Sequence, residues 1–333
     1  MIRLLLRFCL SLTLLMLVLM VAALIVGGRF PGDQLVLARA ERFDDELWLL
    51  DARTKLNVQL TDNDDQEFPL AWSADGQQIA FFSDRQPAGG RNGGSDMSLF
   101  SLKLPGLQIT AQPQGANWKF ASAPVYREWV DTDGTLIRLP AGAYLDVARR
   151  VLREYRPVAE GFTVIDSHLS AADTERVIGR WQGHYVPVGA PLFSPDGSRL
   201  LMVASQPPER TLHLFIFDVI SGAQYELPAS EGSVISGAVW SQDGRSIALI
   251  ERNGPRQTVV IVDAENIRPL RRLLSLDESI INDLSWSASG RWLALRYGLE
   301  QDSQLCLVHI DTGALTCLLP WSAPLWRPLR TAD

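Results

Sequence analysis

Lysine is nearly missing from this chain, with three residues against 28 arginines, a bias of base composition rather than of function. Cysteine is scarce as well: Cys9, Cys306 and Cys317 are all there are, and no Cys-x-x-Cys pair occurs. The four histidines, His168, His184, His213 and His309, have neither metal-ligand spacing nor an evident partner set. No Gly-x-Ser-x-Gly stretch is present, which excludes the nucleophile elbow of an α/β-hydrolase. Phosphate loops and dinucleotide fingerprints are also absent. No catalytic residue, cofactor site or metal site is therefore assigned. Residues 1–30 contain three arginines and no acid, leaving 28 basic against 38 acidic residues beyond them, a net charge of −10. Such a balance argues against a broad nucleic-acid-binding surface.

What is present is a repeat. Four copies of one phrase stand out: Trp72-Ser73-Ala74-Asp75-Gly76, Phe193-Ser194-Pro195-Asp196-Gly197, Trp240-Ser241-Gln242-Asp243-Gly244 and Trp286-Ser287-Ala288-Ser289-Gly290. Each leads into a short apolar strand, such as Ile79–Phe82 or Ile247–Ile250. The last three copies lie 47 and 46 residues apart. A period of that size with about four strands per unit marks a β-propeller. Gly supplies the positive φ of a tight turn, while Asp and Ser hydrogen-bond nearby amides. The repeated Trp reads as core, filling the space between neighbouring sheets.

These phrases resemble the WD40-like repeat of the TolB type, roughly Trp-Ser-Pro-Asp-Gly, two residues, then Ile-Ala-Phe. Phe193–Gly197 carries Phe for Trp, Trp72 and Trp240 are followed by Ala or Gln where Pro is expected, and Ser289 replaces Asp. The resemblance covers most of residues 32–333 and implies a propeller with a habit of binding. Proteins of this type include periplasmic interaction modules and the propeller halves of prolyl peptidases.

The expected fold class is all-β, a six-bladed β-propeller, with five or seven blades as alternatives. One period beyond Trp72 falls at Trp118, and Trp118 to Phe193 is 75 residues, about 29 too many. That surplus reads as an insertion in the third blade. The first blade has strand patterns at Gln34–Ala40, Glu46–Asp51 and Lys55–Thr61 but no inner strand before them. The segment around Leu325-Trp326 is expected to supply it, so that N- and C-terminal strands close the ring and protect its sheet edges.

Phe8–Gly28 is an uncharged run of 21 residues, roughly 31 Å as a helix and long enough to span a hydrocarbon core. Arg3 and Arg7 precede it, which places residues 1–30 as cytoplasmic N-terminus and transmembrane anchor, and 31–333 outside the cell membrane. A cleaved signal peptide ending at Ala38-Arg39-Ala40 is the competing reading. An oxidising compartment would permit a disulfide between Cys306 and Cys317. They face each other if the Asp311-Thr312-Gly313 turn keeps a two-residue register, and separate under a three-residue loop.

Three segments invite functional readings. Asp62–Glu67 is the densest acidic cluster; it lacks calcium-loop spacing and reads as solvated carboxylates. Gln86–Asp96 is a Gly-rich loop and reads as a connector. Ala143–Tyr155 reads as an amphipathic helix in a helical insertion near 140–160. Tyr144, Leu145, Ala148, Val151, Leu152 and Tyr155 form its apolar face, and Pro157 ends it. Arg149, Arg150 and Arg153 lie off that face as candidate partner-binding residues. The expected function is a non-catalytic interaction or scaffold propeller, single-pass in the membrane, whose partner is another envelope or membrane protein. A small-ligand or carbohydrate sensor is one alternative, and a hydrolase or lyase with its site at the propeller mouth is another.

Overall fold

The computed structural model describes residues 20, 33–41, 44–72, 76–85, 97–111, 128–130, 136–138, 143–146, 151–168, 175–206, 208, 211–277, 280–298, 304–318 and 325–327. Every element among them is a β-strand. Two compact units divide the chain. One holds residues 1–118, 130–133 and 321–333, and the other 119–129 and 134–320. Phe8–Gly28, Met20 apart, lies outside the described residues, and among those described no helix is long and apolar enough to cross a membrane.

The first unit contains two four-stranded antiparallel sheets. Sheet I joins β1 (Gln34–Glu41), β2 (Asp44–Asp51) and β3 (Asn57–Gln59) to the last strand of the chain, β27 (Leu325–Trp326), in the order β27-β1-β2-β3. Leu35 faces Trp326 and Val36 faces Leu325, so the C-terminal segment does supply the missing strand of this sheet. Arg327 reinforces the join: its N–H donates to Gln34 O at 2.7 Å and its guanidinium to Gln34 Oε1 at 2.6 Å. Sheet II follows as β4 (Glu67–Trp72), β5 (Gln78–Ser83), β6 (Ser98–Lys103) and β7 (Gln108–Ala111). Val36, Leu47 and Leu49 of sheet I pack on Trp72, Phe81 and Phe100 of sheet II.

After a two-stranded sheet of β8 (Glu128–Val130) and β9 (Leu136–Arg138), the second unit builds four larger sheets. Sheet III is β10 (Tyr144–Asp146), β11 (Val151–Val158), β12 (Gly161–His168) and β13 (Arg176–Gln182). In sheet IV, β14 (Val186–Pro187) and β15 (Leu192–Phe193) both pair with β16 (Arg199–Ser205), followed by β17 (His213–Asp218) and β18 (Gln224–Leu227). Sheet V is β19 (Val234–Trp240), β20 (Ser246–Asn253), β21 (Arg256–Asp263) and β22 (Arg268–Leu276). Sheet VI is β23 (Ile281–Trp286), β24 (Trp292–Tyr297), β25 (Gln304–His309) and β26 (Leu315–Cys317).

Strand sequences in sheet V are unbroken apolar runs because both faces are covered. Ile247, Leu249, Val260 and Val262 pack toward sheet IV, whereas Ala248, Ile250, Val259 and Ile261 pack toward sheet VI. Each repeated Trp ties its sheet to the one before. Trp240 Nε1 donates to Leu192 O at 3.0 Å, Trp286 Nε1 to Val239 O at 3.2 Å, and in the first unit Trp72 Nε1 to Leu325 O at 2.9 Å. The repeated turn is equally regular. Ser241 Oγ donates to Asp243 Oδ1 at 2.6 Å and accepts from Ser246 N–H at 3.0 Å, while Gly244 takes φ +69°. In the divergent copy Ser289 does the work of Asp, accepting from Arg291 N–H at 3.2 Å.

A second regularity was not anticipated. Asp51, Asp218 and Asp263 each end a third strand, and each Oδ1 accepts the N–H groups two and three residues on. Four-residue connections follow them. The same length at Ile310–Gly313 keeps the two-residue register, so Cys306 stands opposite Cys317, and a disulfide joins them.

The segment read as helix is corrected. Its described residues form β10 and the start of β11, with Tyr144 opposite Arg153 and Leu145 opposite Leu152. Helical spacing was matched across the two arms of a hairpin, a known ambiguity of short apolar runs. Val151–Val158 pairs along its whole length with Gly161–His168, and the apolar run Phe162–Ile165 stands opposite Glu154–Pro157. The surplus therefore falls in residues 112–142, ahead of sheet III, and Trp118 lies outside the described residues.

Candidate functional site

The first strands of sheets IV to VI are each interrupted. Sheet IV breaks between β14 and β15, where Pro187 and Pro191 have no N–H to give and Gly189 sits at φ +78°. In β19 the register shifts between Ile235 and Gly237, and in β23 between Asn282 and Ser285. Such bulges re-aim side chains. Here they open a cleft of about 520 Å³ walled by Val188, Leu192, Val203, Ala238, Ile250, Ile280 and Leu284.

The rim is apolar and open: Val188 is 49 % exposed and Ile280 43 %. Three polar side chains interrupt the wall, Ser236, Arg252 and Gln257. Gln257 is committed, its Oε1 accepting from Ile281 N–H at 2.6 Å. Arg252, exposed at the end of β20, forms no ion pair among the described residues. Among the described residues, no carboxylate, histidine or cysteine lines the cleft. The arrangement can grip an apolar side chain and a negative group.

A second hollow of about 490 Å³, at the β20–β21 end of sheet V, has its charges matched apart from Glu231. Arg256 holds Asp277 through two bonds of 2.7 and 3.2 Å. Glu251 accepts the Ser230 N–H at 3.1 Å and its hydroxyl at 2.8 Å, with Arg272 3.6 Å away. Little remains there to recognise a ligand.

Of the three arginines singled out from sequence, Arg153 lies among the described residues. Arg153 is engaged: Nε and Nη2 donate to the two oxygens of Asp166 at 2.7 and 2.8 Å, and Nη1 donates to Gly197 O. It fastens β11 to β12 and to the turn of sheet IV. Arg149 and Arg150 lie outside the described residues, as does the Gly-rich loop 86–96. Cys306 is fully buried in the core, so the Cys306–Cys317 bond is a staple of the hairpin. Trp181 proves a core residue, 6 % exposed, with Nε1 donating to Gly222 O at 3.2 Å. In the acidic cluster Asp62 and Asp64 are exposed as expected, but Glu67 is completely buried. The cleft itself was missed. Its traces in sequence are Pro187-x-Gly189-x-Pro191 and Gly237, breakers set inside strand patterns.

No family model matches the sequence, and no curated protein matches it. Solved structures do. TolB from Acinetobacter baumannii is 17 % identical, with a TM-score of 0.51 over 90 % of this chain and 67 % of that one. A Bacteroides uniformis protein provisionally assigned as a 6-phosphogluconolactonase is 13 % identical, with a TM-score of 0.51 over 90 % of this chain and 98 % of that one. At such identities the likeness is one of fold, and the chain has a TolB-like β-propeller fold.

Proposed function

Proceeding from a TolB-like propeller fold, we propose that this chain is a six-bladed, non-catalytic interaction propeller of the cell envelope. Phe8–Gly28 anchors it in the membrane, and the propeller docks another envelope protein on the extracytoplasmic side. The observation that carries this reading is the cleft on the first strands of sheets IV to VI. It joins an open apolar rim at Val188 and Ile280 to the exposed guanidinium of Arg252, which has no ion pair among the described residues. Apolar anchors beside one charge are the composition of a protein-binding hot spot. The occupant that fits is an extended segment of a partner, with apolar side chains and a carboxylate.

The Acinetobacter baumannii likeness is consistent with a binding propeller, while the Bacteroides uniformis one brings a lactonase as the competing reading. Ile280→Asp and Arg252→Glu separate the two. Each is expected to weaken partner association at least tenfold while leaving the melting temperature within a few degrees, since both side chains lie at an open rim. Lactone or glycoside hydrolysis by the purified chain, with partner association untouched by either variant, would replace this reading with the enzymatic one.

A further inference from the structure

Three glycines lie inside the described strands, Gly161, Gly179 and Gly237. The fold requires the first two. Gly161 takes φ +137°, and a Cβ on Gly179 would sit 2.4 Å from the Trp181 ring. Gly237, in β19, is under neither demand. Its φ lies outside the left-handed region, and a Cβ there would meet only Ile250 Cδ1, at an ordinary 3.7 Å. The bulge between Ile235 and Gly237 is no reason for it either, because β23 builds its bulge between Asn282 and Ser285 without a glycine. A glycine in mid-strand costs backbone entropy and a packing side chain, and it often marks a place where a ligand approaches closely.

What Gly237 leaves open is the floor of the cleft on the first strands of sheets IV to VI. It stands opposite Ile250, and both line that cleft with Ile280 and Leu284. Ala190, three residues ahead of Phe193 as Gly237 is three ahead of Trp240, keeps the sheet IV side small as well. The result is an apolar notch between Ile250 and Leu284, which share one hydrophobic cluster.

Arg252 stands two residues beyond Ile250 on β20, so the two share a face of sheet V. That face looks toward sheet VI: Ile250 packs there, and Gln257, the residue paired with Arg252, accepts from Ile281 N–H. Two residues along a strand span about 6.8 Å. An apolar notch and an exposed guanidinium therefore lie side by side at that spacing.

We propose that the cleft reads two points of its partner: a bulky apolar side chain seated over Gly237 against Ile250, and an aspartate or glutamate two residues away in the partner's chain, held by Arg252. It rests on the docking role proposed for the cleft and names the segment that docks. An extended chain presents every second side chain on one side, again about 6.8 Å apart, so both groups reach their places together. The residue between them points away and is not read. Any bulky residue at 237 would fill the notch from within, which makes Gly237 the specificity-determining position. A helical partner would need a different spacing, since residues four apart on a helix are about 6 Å apart.

The test selects random peptides displayed on phage against the full chain in detergent, in parallel with Gly237→Leu, Ile280→Asp and Arg252→Glu. Peptides that bind the wild type but neither Gly237→Leu nor Ile280→Asp are expected to carry Phe, Leu, Ile or Met with Asp or Glu two residues away. Changing that acid to its amide should weaken binding to the wild type by about fivefold. Selection on Arg252→Glu should put Lys or Arg at the same spacing, and this exchange decides the matter alone if Gly237→Leu fails to fold. Cleft-dependent peptides with no acid at that spacing, or with the acid four residues away, overturn the two-point reading and leave the docking site standing. Peptides that bind all the variants as they bind the wild type, or no selected peptide at all, overturn both.

Discussion

Gly197 and Gly244 occupy the same turn position, at φ +70° and +69°, yet they are not equivalent. A Cβ on Gly197 would run into the Tyr144 ring, whereas one on Gly244 would meet only Pro195 Cδ at 3.6 Å. Gly244→Ala should therefore cost only the left-handed strain, about 1–2 kcal/mol. Gly197→Ala adds an overpacking cost of about 1–3 kcal/mol. Urea denaturation of the two variants measures the difference, and equal costs would show that Tyr144 does not pack there. The repeated Trp can be tested in the same way. Sheet IV already uses Phe193 in that place, so Trp286→Phe should fold and lose mainly the Nε1–H bond to Val239, about 1 kcal/mol. A loss of 4 kcal/mol or more would mean that the indole's bulk, not its bond, matters.

At the level of elements, removing Trp321–Asp333 should strip β27 from sheet I. That deletion leaves the edge of β1 bare, Trp72 Nε1 without its acceptor and Gln34 without Arg327. Cooperative unfolding is expected to disappear, and an unchanged calorimetric transition would show that β27 is dispensable. Reduction of Cys306–Cys317 closes a much smaller account: its loop spans 11 residues, so the loss should be about 2–3 kcal/mol in the chain-entropy view. Sheet I was legible in sequence because three strand patterns ran out of partners at the N-terminus while Leu325-Trp326 was left over at the C-terminus. Sheet III was not. It has no Trp-Ser-x-Asp-Gly phrase, and its first hairpin happens to repeat at helical spacing. The cleft was illegible for another reason: it depends on bulges in three strands lying side by side, and each breaker alone resembles a loop.

For the whole molecule, pH should act from both sides. In Asp196 burial favours the neutral form, but bonds from Ser194 and Ser198 outweigh it and leave the pKa lowered; Asp218 is likewise lowered, its Ser221 and Ile220 bonds outweighing burial. A lowered folded pKa stabilises above the ordinary carboxylate range, about 4, and that support is lost as pH falls through the folded values. Glu67 acts in the opposite sense: burial above all raises its pKa, so its contribution is lost as pH rises above the ordinary carboxylate range. Melting temperature should thus pass through a maximum, and a curve that keeps rising with pH without one would contradict the buried Glu67. The central claim, that the cleft is where a partner docks, is tested most directly by site-specific photo-crosslinking in native membranes. The full chain would carry the crosslinker at Val188, at Ile280 or, as a control on an outer turn, at Ile220, which is 84 % exposed. One discrete protein adduct from positions 188 and 280 but not from 220 is the expected result. Adducts of equal yield from all three, or from 220 alone, would contradict it.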